Sequence, residues 1–282
     1  MADMSRRPRL KAPAGTTDTH MHIYDKRFPT ASTAAFTPPD ASLEDYLAVC
    51  EQLGIERTVF VQATTYGTDH RCMLEAMAAM DPQRARGIAI IDPSTTDEDL
   101  KRFANAGVCG IRFQMFPGGV VSWDMLEPLA KRAKAIGWHV ILQFDGREFP
   151  QRQEQIKRLA AITTVVLDHT GKFIEPVPVD HPAFQTMLRV LTGGDFYAKV
   201  SGPYETSKVG APNYDDVSVL AKELVRAAPD RILWAANWPQ VNPPGGIRPD
   251  NVQMLDLLLD WAPDEATRKK ILVDNPARLY RF

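Results

Sequence analysis

The chain has 282 residues, of which 44% are hydrophobic and 24% charged, the balance of a folded globular protein. Its 33 basic and 35 acidic residues give a net charge of −2, which excludes an overall electrostatic attraction to nucleic acid or to an anionic membrane. No apolar core of a secretory signal follows the basic N-terminus, and no segment has the ~18 apolar residues of a membrane span, so we expect a cytoplasmic protein with neither nucleic acid nor membrane as partner.

One pattern repeats along the chain: a short apolar run, a polar loop, and a stretch with apolar residues at helical spacing. Runs that are apolar on both faces are typical of parallel strands covered by helices. Eight alternations favour a closed α/β barrel, so we predict a (β/α)₈ TIM barrel in a single domain. The eight predicted strands are Thr17–Tyr24, Thr58–Ala63, Gly87–Asp92, Gly110–Phe116, His139–Asp145, Thr163–His169, Phe196–Gly202 and Arg231–Trp238.

Local sequence features place the boundaries of this domain and of some of its helices. Gly54 and Gly137 follow amphipathic stretches and are predicted to end helices, and Pro229 is predicted to stop the helix before the last strand. Residues 1–14 are predicted to be a flexible lead-in, and residues 15–282 to form the barrel. The three cysteines are widely spaced and odd in number, which predicts reduced thiols.

The active site of such a barrel lies at the carboxyl ends of its strands, and His20-Met21-His22 is the clearest feature found there. Residues i and i+2 of a strand point to the same face, so both imidazoles are predicted to converge. Such a pair is half of a metal site or a pair that polarises a carbonyl group.

Other polar residues also fall at predicted strand ends. Arg112 ends the fourth strand, where its planar guanidinium is suited to bind a carboxylate through two hydrogen bonds. Asp168 precedes His169 and is expected to point away from it, into the barrel wall. The remaining candidates for contact with substrate are Gln143, Asp145, His169, Ser201, Tyr204 and Asn237, together with His70 after the second strand and Lys172 in a loop.

Three motifs resemble the amidohydrolase superfamily: DTHMH near the N-terminus, DHTGK after strand six and WAANWPQ on strand eight. They are most similar to its branch of 2-pyrone-4,6-dicarboxylate lactonase and D-galactarolactone isomerase. The segments PGG at 117–119, QFDG at 143–146, GKF at 171–173, YETS at 204–207 and NWP at 237–239 look more like the isomerase. The resemblance implies that His20, His22 and His169 polarise a lactone carbonyl, and that Arg112 binds a substrate carboxylate.

The chain departs from the hydrolytic members at strand eight. They carry an aspartate where this chain has Asn237, and a carboxamide can neither take a proton from water nor ligate a metal as a carboxylate does. Asn237 is either the natural residue, as in the isomerase, or an engineered replacement of aspartate, and the isomerase-like segments favour the first.

The metal content follows from a second departure. Strand five presents Gln143 instead of the lysine or histidine that a binuclear centre needs. Three histidines alone could hold one zinc, with His20, His22 and His169 as its ligands, but they offer no carboxylate to balance its charge. We therefore expect no cofactor, with one zinc as the alternative.

These features predict acyl transfer on a small carboxylated lactone. Exchanging one lactone ring size for another needs only an attack by a hydroxyl of the same molecule, so a weak base such as a histidine or Asp145 is sufficient. We therefore favour isomerisation of a sugar-diacid lactone such as a galactarolactone. The alternatives are a hydrolytic lactonase acting on a pyrone dicarboxylate or muconolactone, a metal-dependent decarboxylase, and a barrel that binds its ligand without turnover.

Overall fold

A computed structural model describes residues 5–241 and 243–282 of the chain. Eight parallel strands form one sheet in the order β1 to β8, so the predicted TIM barrel is confirmed. The strands are β1 (Thr17–Met21), β2 (Arg57–Val61), β3 (Ala85–Ala89), β4 (Val108–Gln114), β5 (His139–Gln143), β6 (Val165–Leu167), β7 (Phe196–Val200) and β8 (Ile232–Trp234).

Helices follow each strand and cover the outside of the barrel. They are α1 (Leu43–Leu53), α2 (Arg71–Ala78), α3 (Asp97–Asn105), α4 (Leu126–Ala135), α5 (Phe149–Ile162), α6 (Pro182–Thr192), α7 (Asp215–Ala227), and after β8 α8 (Asn251–Asp256), α9 (Leu258–Trp261), α10 (Glu265–Lys269) and α11 (Asn275–Tyr280). None of the helices in the described part of the chain is both long and apolar enough to cross a membrane.

The helix ends follow from local chemistry. Ser42 begins α1 with a capping box, in which its hydroxyl accepts from the backbone of Asp45 while the Asp45 carboxylate accepts from the backbone of Ser42. Gly54 and Gly137, predicted to end helices, adopt left-handed backbone angles with φ of 74° and 76°. The helix α7 ends before Pro229, as predicted.

The predicted strands are correct in number and order but extend too far toward their carboxyl ends. The strand β1 ends at Met21 rather than Tyr24, and β8 ends at Trp234 rather than Trp238. The chain turns out of the sheet at the barrel mouth; for example, Asn237 has a left-handed φ of 51°. Several polar residues assigned to strands therefore lie in the loops that form the mouth.

The interior of the barrel is filled with packed apolar side chains. These buried residues are Val59, Val61, Ile88, Ile141, Val166, Tyr197, Leu233 and Tyr280. A second and larger cluster lies between the strands and the surrounding helices. The three cysteines are free thiols, as expected.

The N-terminal segment lies against the last helices. Leu10 is buried, and its backbone N–H donates to the Asp256 carboxylate at 2.9 Å. Residues 1–4 of the predicted lead-in lie outside the described residues, and the division of the chain at residue 14 stays a prediction.

The barrel closes between β1 and β8, partly through the buried carboxylate of Asp18. Its Oδ1 atom accepts from the backbone N–H groups of His20 at 3.0 Å and Ala236 at 2.9 Å. Its Oδ2 atom accepts from the hydroxyl of Tyr46 at 2.9 Å. Burial raises the pKa of Asp18 to about 6, against the opposing effect of these hydrogen bonds. One side chain therefore joins the two strands and holds the backbone beside His20.

We expect Asp18→Ala to lower the free energy of unfolding by about 2–4 kcal/mol, because it leaves buried donors without an acceptor. Urea unfolding followed by tryptophan fluorescence measures this loss. Thr19→Val is the matched control: it removes only the hydroxyl that donates to the Trp234 carbonyl at 2.7 Å, and should cost about 1 kcal/mol. An unchanged urea midpoint for Asp18→Ala would contradict this role.

Candidate active site

A cavity of about 270 Å³ opens at the carboxyl ends of the strands, where the sequence predicts the active site. Its lining combines aromatic, amide, imidazole and charged groups: His22, Tyr24, Phe36, Thr64, Arg112, Gln114, Gln143, His169, Lys172, Glu205, Asn237 and Val241. A larger groove of about 620 Å³ lies outside the barrel, away from the strand ends. Its charged residues form pairs such as Lys222–Asp260, so the cavity at the mouth is the better candidate.

The three histidines singled out in the sequence lie together at the base of this cavity. The Nε2 atoms of His20 and His22 are 3.2 Å apart, and the ring centres of His20 and His169 are 4.7 Å apart. His20 is fully buried, while His22 and His169 line the cavity. The alternation of β1 places the first pair on one face, and the turn after β6 brings the third imidazole to them.

Hydrogen bonds define which nitrogen atoms carry protons. The Nδ1 atom of His22 is 2.8 Å from the carbonyl oxygen of Val61, which can only accept, so His22 is protonated on Nδ1. Nε2 of His22 then carries a lone pair, and Nε2 of His20 lies 3.2 Å from it, so the His20 proton lies on Nε2 and Nδ1 of His20 can accept from the ammonium group of Lys199 at 3.0 Å. His20 therefore donates to the Nε2 lone pair of His22.

Asp168 lies at the centre of this cluster, and the expectation that it points into the barrel wall is wrong. Its carboxylate is 3.2 Å from Nδ1 of His20, 3.3 Å from Nζ of Lys199 and 3.4 Å from Nε of Arg112. It is also 3.6 Å from Nε2 of His169, although the two residues are neighbours in sequence. Strand β6 ends at Leu167, and left-handed angles at His169, with a φ of 47°, break the alternation on which the expectation relied.

Burial and charge set the ionisation of these groups. Burial opposes the charge of Asp168, but His169, His20 and Lys199 hold its pKa well below the usual value. Burial lowers the pKa of Lys199 to about 8 despite the opposing charge of Asp168. Burial also lowers the pKa of His22 to about 3 and that of His169 to about 4. Both imidazoles that line the cavity are therefore neutral near pH 7.

Among the described residues, the group with spacing suited to a metal ion is His20, Asp168 and His169, whose ligand atoms all lie within 4.8 Å of one another. Asp168 thus takes the place that the sequence assigned to His22. The ammonium of Lys199, however, contacts both His20 and Asp168, and the guanidinium of Arg112 lies beside the same carboxylate. A divalent cation at this position would therefore lie beside two cations that already contact its one anionic ligand.

Arg112 and Gln143 lie side by side in the cavity wall. Nη2 of Arg112 donates to Oε1 of Gln143 at 2.6 Å, and its Nε atom faces Asp168. These contacts hold a mostly buried guanidinium at the cavity surface, where its remaining N–H groups are suited to a carboxylate.

Asn237 lies at the opposite wall within a polar cluster. Its Nδ2 atom donates to the hydroxyl of Tyr204 at 2.7 Å and to Oε1 of Glu205 at 3.1 Å. The second oxygen of Glu205 pairs with the ammonium of Lys172. Because the carboxylate can only accept, the amide nitrogen must face it, which leaves Oδ1 of Asn237 as the acceptor of this side chain.

Several predicted site residues are not among the described residues that line the cavity. Asp145 forms an ion pair with Arg147 at 2.6 Å, and His70 accepts from the backbone of Ile90 while packing on Phe103. Ser201 lies beneath the cavity, with Oγ 3.0 Å from Nδ1 of His169, and Tyr204 contacts Asn237. Ser201 and Tyr204 therefore support lining residues.

The sequence interpretation missed Glu205, Tyr24 and Phe36. Glu205 belongs to a short 3₁₀ turn, Pro203–Glu205, directly after β7. The rule that active-site residues lie at the carboxyl ends of strands selected the adjacent Tyr204, and it could have selected Glu205 as well. Tyr24 and Phe36 lie in the long loop between β1 and α1, where apolar periodicity gives no information about direction.

Comparison with known proteins places this geometry in a wider context. A family model described as amidohydrolase matches residues 17–282. A D-galactarolactone isomerase of Agrobacterium fabrum is 33% identical over 282 residues, covering 98% of this chain and 94% of the relative. A 2-pyrone-4,6-dicarboxylate hydrolase of Comamonas testosteroni is 36% identical, covering 97% and 92%. A solved apo structure from Agrobacterium tumefaciens superimposes with a TM-score of 0.89 at 32% identity, covering 98% of both chains.

We expect proton–nitrogen correlation NMR to show His22 protonated on Nδ1 and His20 on Nε2, because Val61 accepts from Nδ1 of His22 and the remaining lone pair of His22 needs a donor on His20. The His22 and His169 signals should not titrate between about pH 5 and about pH 8, because a pKa lowered by burial keeps the ring neutral until the pH falls to about 3 and about 4 respectively. A titration midpoint near 6.5 for either ring, or a His22 proton on Nε2, would contradict the described site.

Proposed function

The chain belongs to the amidohydrolase family, and from that premise we propose that it catalyses acyl transfer within a small carboxylated lactone, exchanging one ring size for another. The substrate class is a sugar-diacid lactone such as a galactarolactone. The observation that carries this proposal is the amide of Asn237 at the strand-eight position, beside neutral imidazoles and in a cavity that attracts an anion.

The charge of the cavity supports a carboxylated substrate. Arg112, Lys172 and Glu205 are the fully charged side chains among the described lining residues, so one positive charge is in excess. The guanidinium of Arg112 offers planar recognition of a carboxylate, and Lys172 provides a second cation on the other wall. A lactone that retains one free carboxylate complements this charge.

Polarisation of the lactone carbonyl is assigned to His169. Its Nδ1 atom can accept from the hydroxyl of Ser201, which places the proton on Nε2; the 3.6 Å from that atom to the Asp168 carboxylate is too long for a hydrogen bond, so the proton is available to a carbonyl oxygen. His22 is less suited to this task, because its Nε2 atom carries a lone pair that already accepts from His20. In this proposal, His20 and His22 hold their rings and tautomers in place around the reacting carbonyl.

Ring exchange rather than hydrolysis follows from the weakness of the available base. A water molecule must be both positioned and deprotonated by the protein. A hydroxyl of the same substrate is already held beside the carbonyl at a very high effective concentration. An amide at position 237 accepts a hydrogen bond through Oδ1 and orients such a hydroxyl without removing its proton.

Hydrolysis of a lactone is the second candidate, because a hydrolase is 36% identical over nearly the whole chain. The two reactions give different products from the same substrate. Ring exchange yields another lactone, and hydrolysis yields the open diacid.

We propose that the reaction needs no metal ion, because Lys199 provides a positive charge against His20 and Asp168. The purified protein is incubated with the δ- and γ-lactones of galactaric acid in the presence of a chelator, and ring size is followed by NMR. We expect ring exchange at the same rate with and without chelator. Ring opening without exchange would contradict isomerisation, and a rate that falls with chelator and returns with zinc would contradict the metal-free site.

We expect Asn237→Asp to increase hydrolysis of the lactone by about tenfold or more relative to ring exchange, because a general base contributes at least this much to activating water. The new carboxylate would lie against Glu205, and two adjacent carboxylates raise one pKa of the pair toward neutrality. The ratio of diacid to isomerised lactone, measured by NMR, tests this. An unchanged ratio would show that residue 237 does not determine the fate of the carbonyl.

A further inference from the structure

Glu205 is a carboxylate in the cavity wall to which neither the sequence nor the proposed function has assigned a role. Its side chain is 21% exposed, with Oε1 3.1 Å from Nδ2 of Asn237 and Oε2 paired with Lys172. The turn after β7 therefore places a carboxylate in contact with the residue that lacks one. The strand-eight position, residue 237, carries an amide instead of a carboxylate, and Glu205 supplies a carboxylate that is hydrogen-bonded to this amide.

Glu205 has acceptor capacity that the other possible bases lack. An ionised carboxylate offers about four lone-pair positions, and Asn237 and Lys172 supply one donor each. The Nε2 lone pair of His22 already accepts from His20, and Asp168 is surrounded by Lys199, Arg112 and His20 below the cavity. Glu205 is thus the lining group best able to take a hydrogen bond from a substrate hydroxyl.

We propose that Glu205 takes the proton of the attacking hydroxyl and returns it to the departing ring oxygen. This inference rests on the proposed ring exchange. The hydroxyl oxygen forms a bond to the carbonyl carbon as its proton moves to Glu205, giving a tetrahedral intermediate. The bond from that carbon to the former ring oxygen then breaks, and the Glu205 carboxyl group protonates the alkoxide that leaves. The protein ends as it began, and no other reactant is needed.

Lys172 links substrate binding to the basicity of Glu205. Burial raises the pKa of Glu205, but Lys172, His169 and Asn237 lower it to about 2, so the carboxylate of the free protein is ionised and only weakly basic. A substrate carboxylate that enters the cavity adds a negative charge near Lys172, which offsets part of this stabilisation and makes Glu205 more basic in the complex. A weak base suits an intramolecular hydroxyl and not a free water molecule.

The role of Glu205 is tested by comparing wild type with Glu205→Gln in ring exchange and in binding of galactarate, the open diacid, measured by calorimetry. We expect kcat to fall at least about 100-fold, the usual contribution of a general base. Galactarate should bind equally well or more tightly, because Lys172 is released from its ion pair. A loss of kcat together with weakened binding would contradict the proposal, since it would indicate that Glu205 only shapes the cavity.

Two further variants guard against a folding defect. Glu205→Gln combined with Lys172→Met removes both members of the pair, leaves no unpaired buried charge, and should also lose ring exchange. Glu205→Gln combined with Asn237→Asp moves the carboxylate across the 3.1 Å contact and should regain about tenfold over Glu205→Gln alone. A double variant as slow as Glu205→Gln would contradict a role as proton carrier.

Glu175→Gln is the matched control, because Glu175 also pairs with a lysine, Lys208 at 3.2 Å, but is 58% exposed. Its rate should equal that of wild type. Wild-type protein that turns over no lactone would overturn the proposed function and this inference together. If wild type exchanges rings and Glu205→Gln does so at the same rate, only the role of Glu205 is overturned.

Discussion

The arrangement of the barrel mouth depends on one buried carboxylate, that of Asp168. It lies within 3.2–3.4 Å of His20, Lys199 and Arg112, which come from three different strands. Burying an isolated charge costs free energy, and these three contacts together offset that cost for Asp168. Loss of any one of them leaves the buried charges of the cluster unbalanced. Lys199 in turn contacts Nδ1 of His20, and Arg112 is held at the cavity surface. In the proposed metal-free reaction, the same ammonium provides the positive charge beside His20 and Asp168.

The mouth separates two charge clusters with different tasks. The deeper cluster around Asp168 is shielded from solvent and fixes geometry and tautomers. The outer cluster of Glu205, Lys172 and Asn237 lines the cavity, where a substrate can exchange partners with it. In the proposed reaction, this division keeps the carbonyl-polarising histidine neutral and rigid and leaves one carboxylate free to exchange a proton. The outer cluster also explains why position 237 carries an amide. The amide bridges Glu205 and Tyr204, whereas a carboxylate there would repel Glu205.

The sequence predicted the parts of this molecule that depend on periodicity. Eight apolar runs gave the barrel, and the spacing of His20 and His22 placed both rings on one face. The direction of the Asp168 side chain could not be predicted, because His169, Thr170 and Lys172 adopt left-handed backbone angles. Non-glycine residues rarely take such angles, and no sequence pattern predicts them here. Asp145 was expected to reach substrate but binds Arg147, two residues away. Glu205 was missed because its importance comes from contacts with Lys172 and Asn237, which are distant in sequence.

The most direct test of the account is a crystal structure of the protein with galactarate. The account predicts one carboxylate on Arg112, an oxygen of the ligand within hydrogen-bond distance of Nε2 of His169, a hydroxyl against Glu205, and Lys199 still in contact with Asp168. A ligand bound outside the mouth, or a metal ion between His20 and Asp168 with Lys199 displaced, would contradict it.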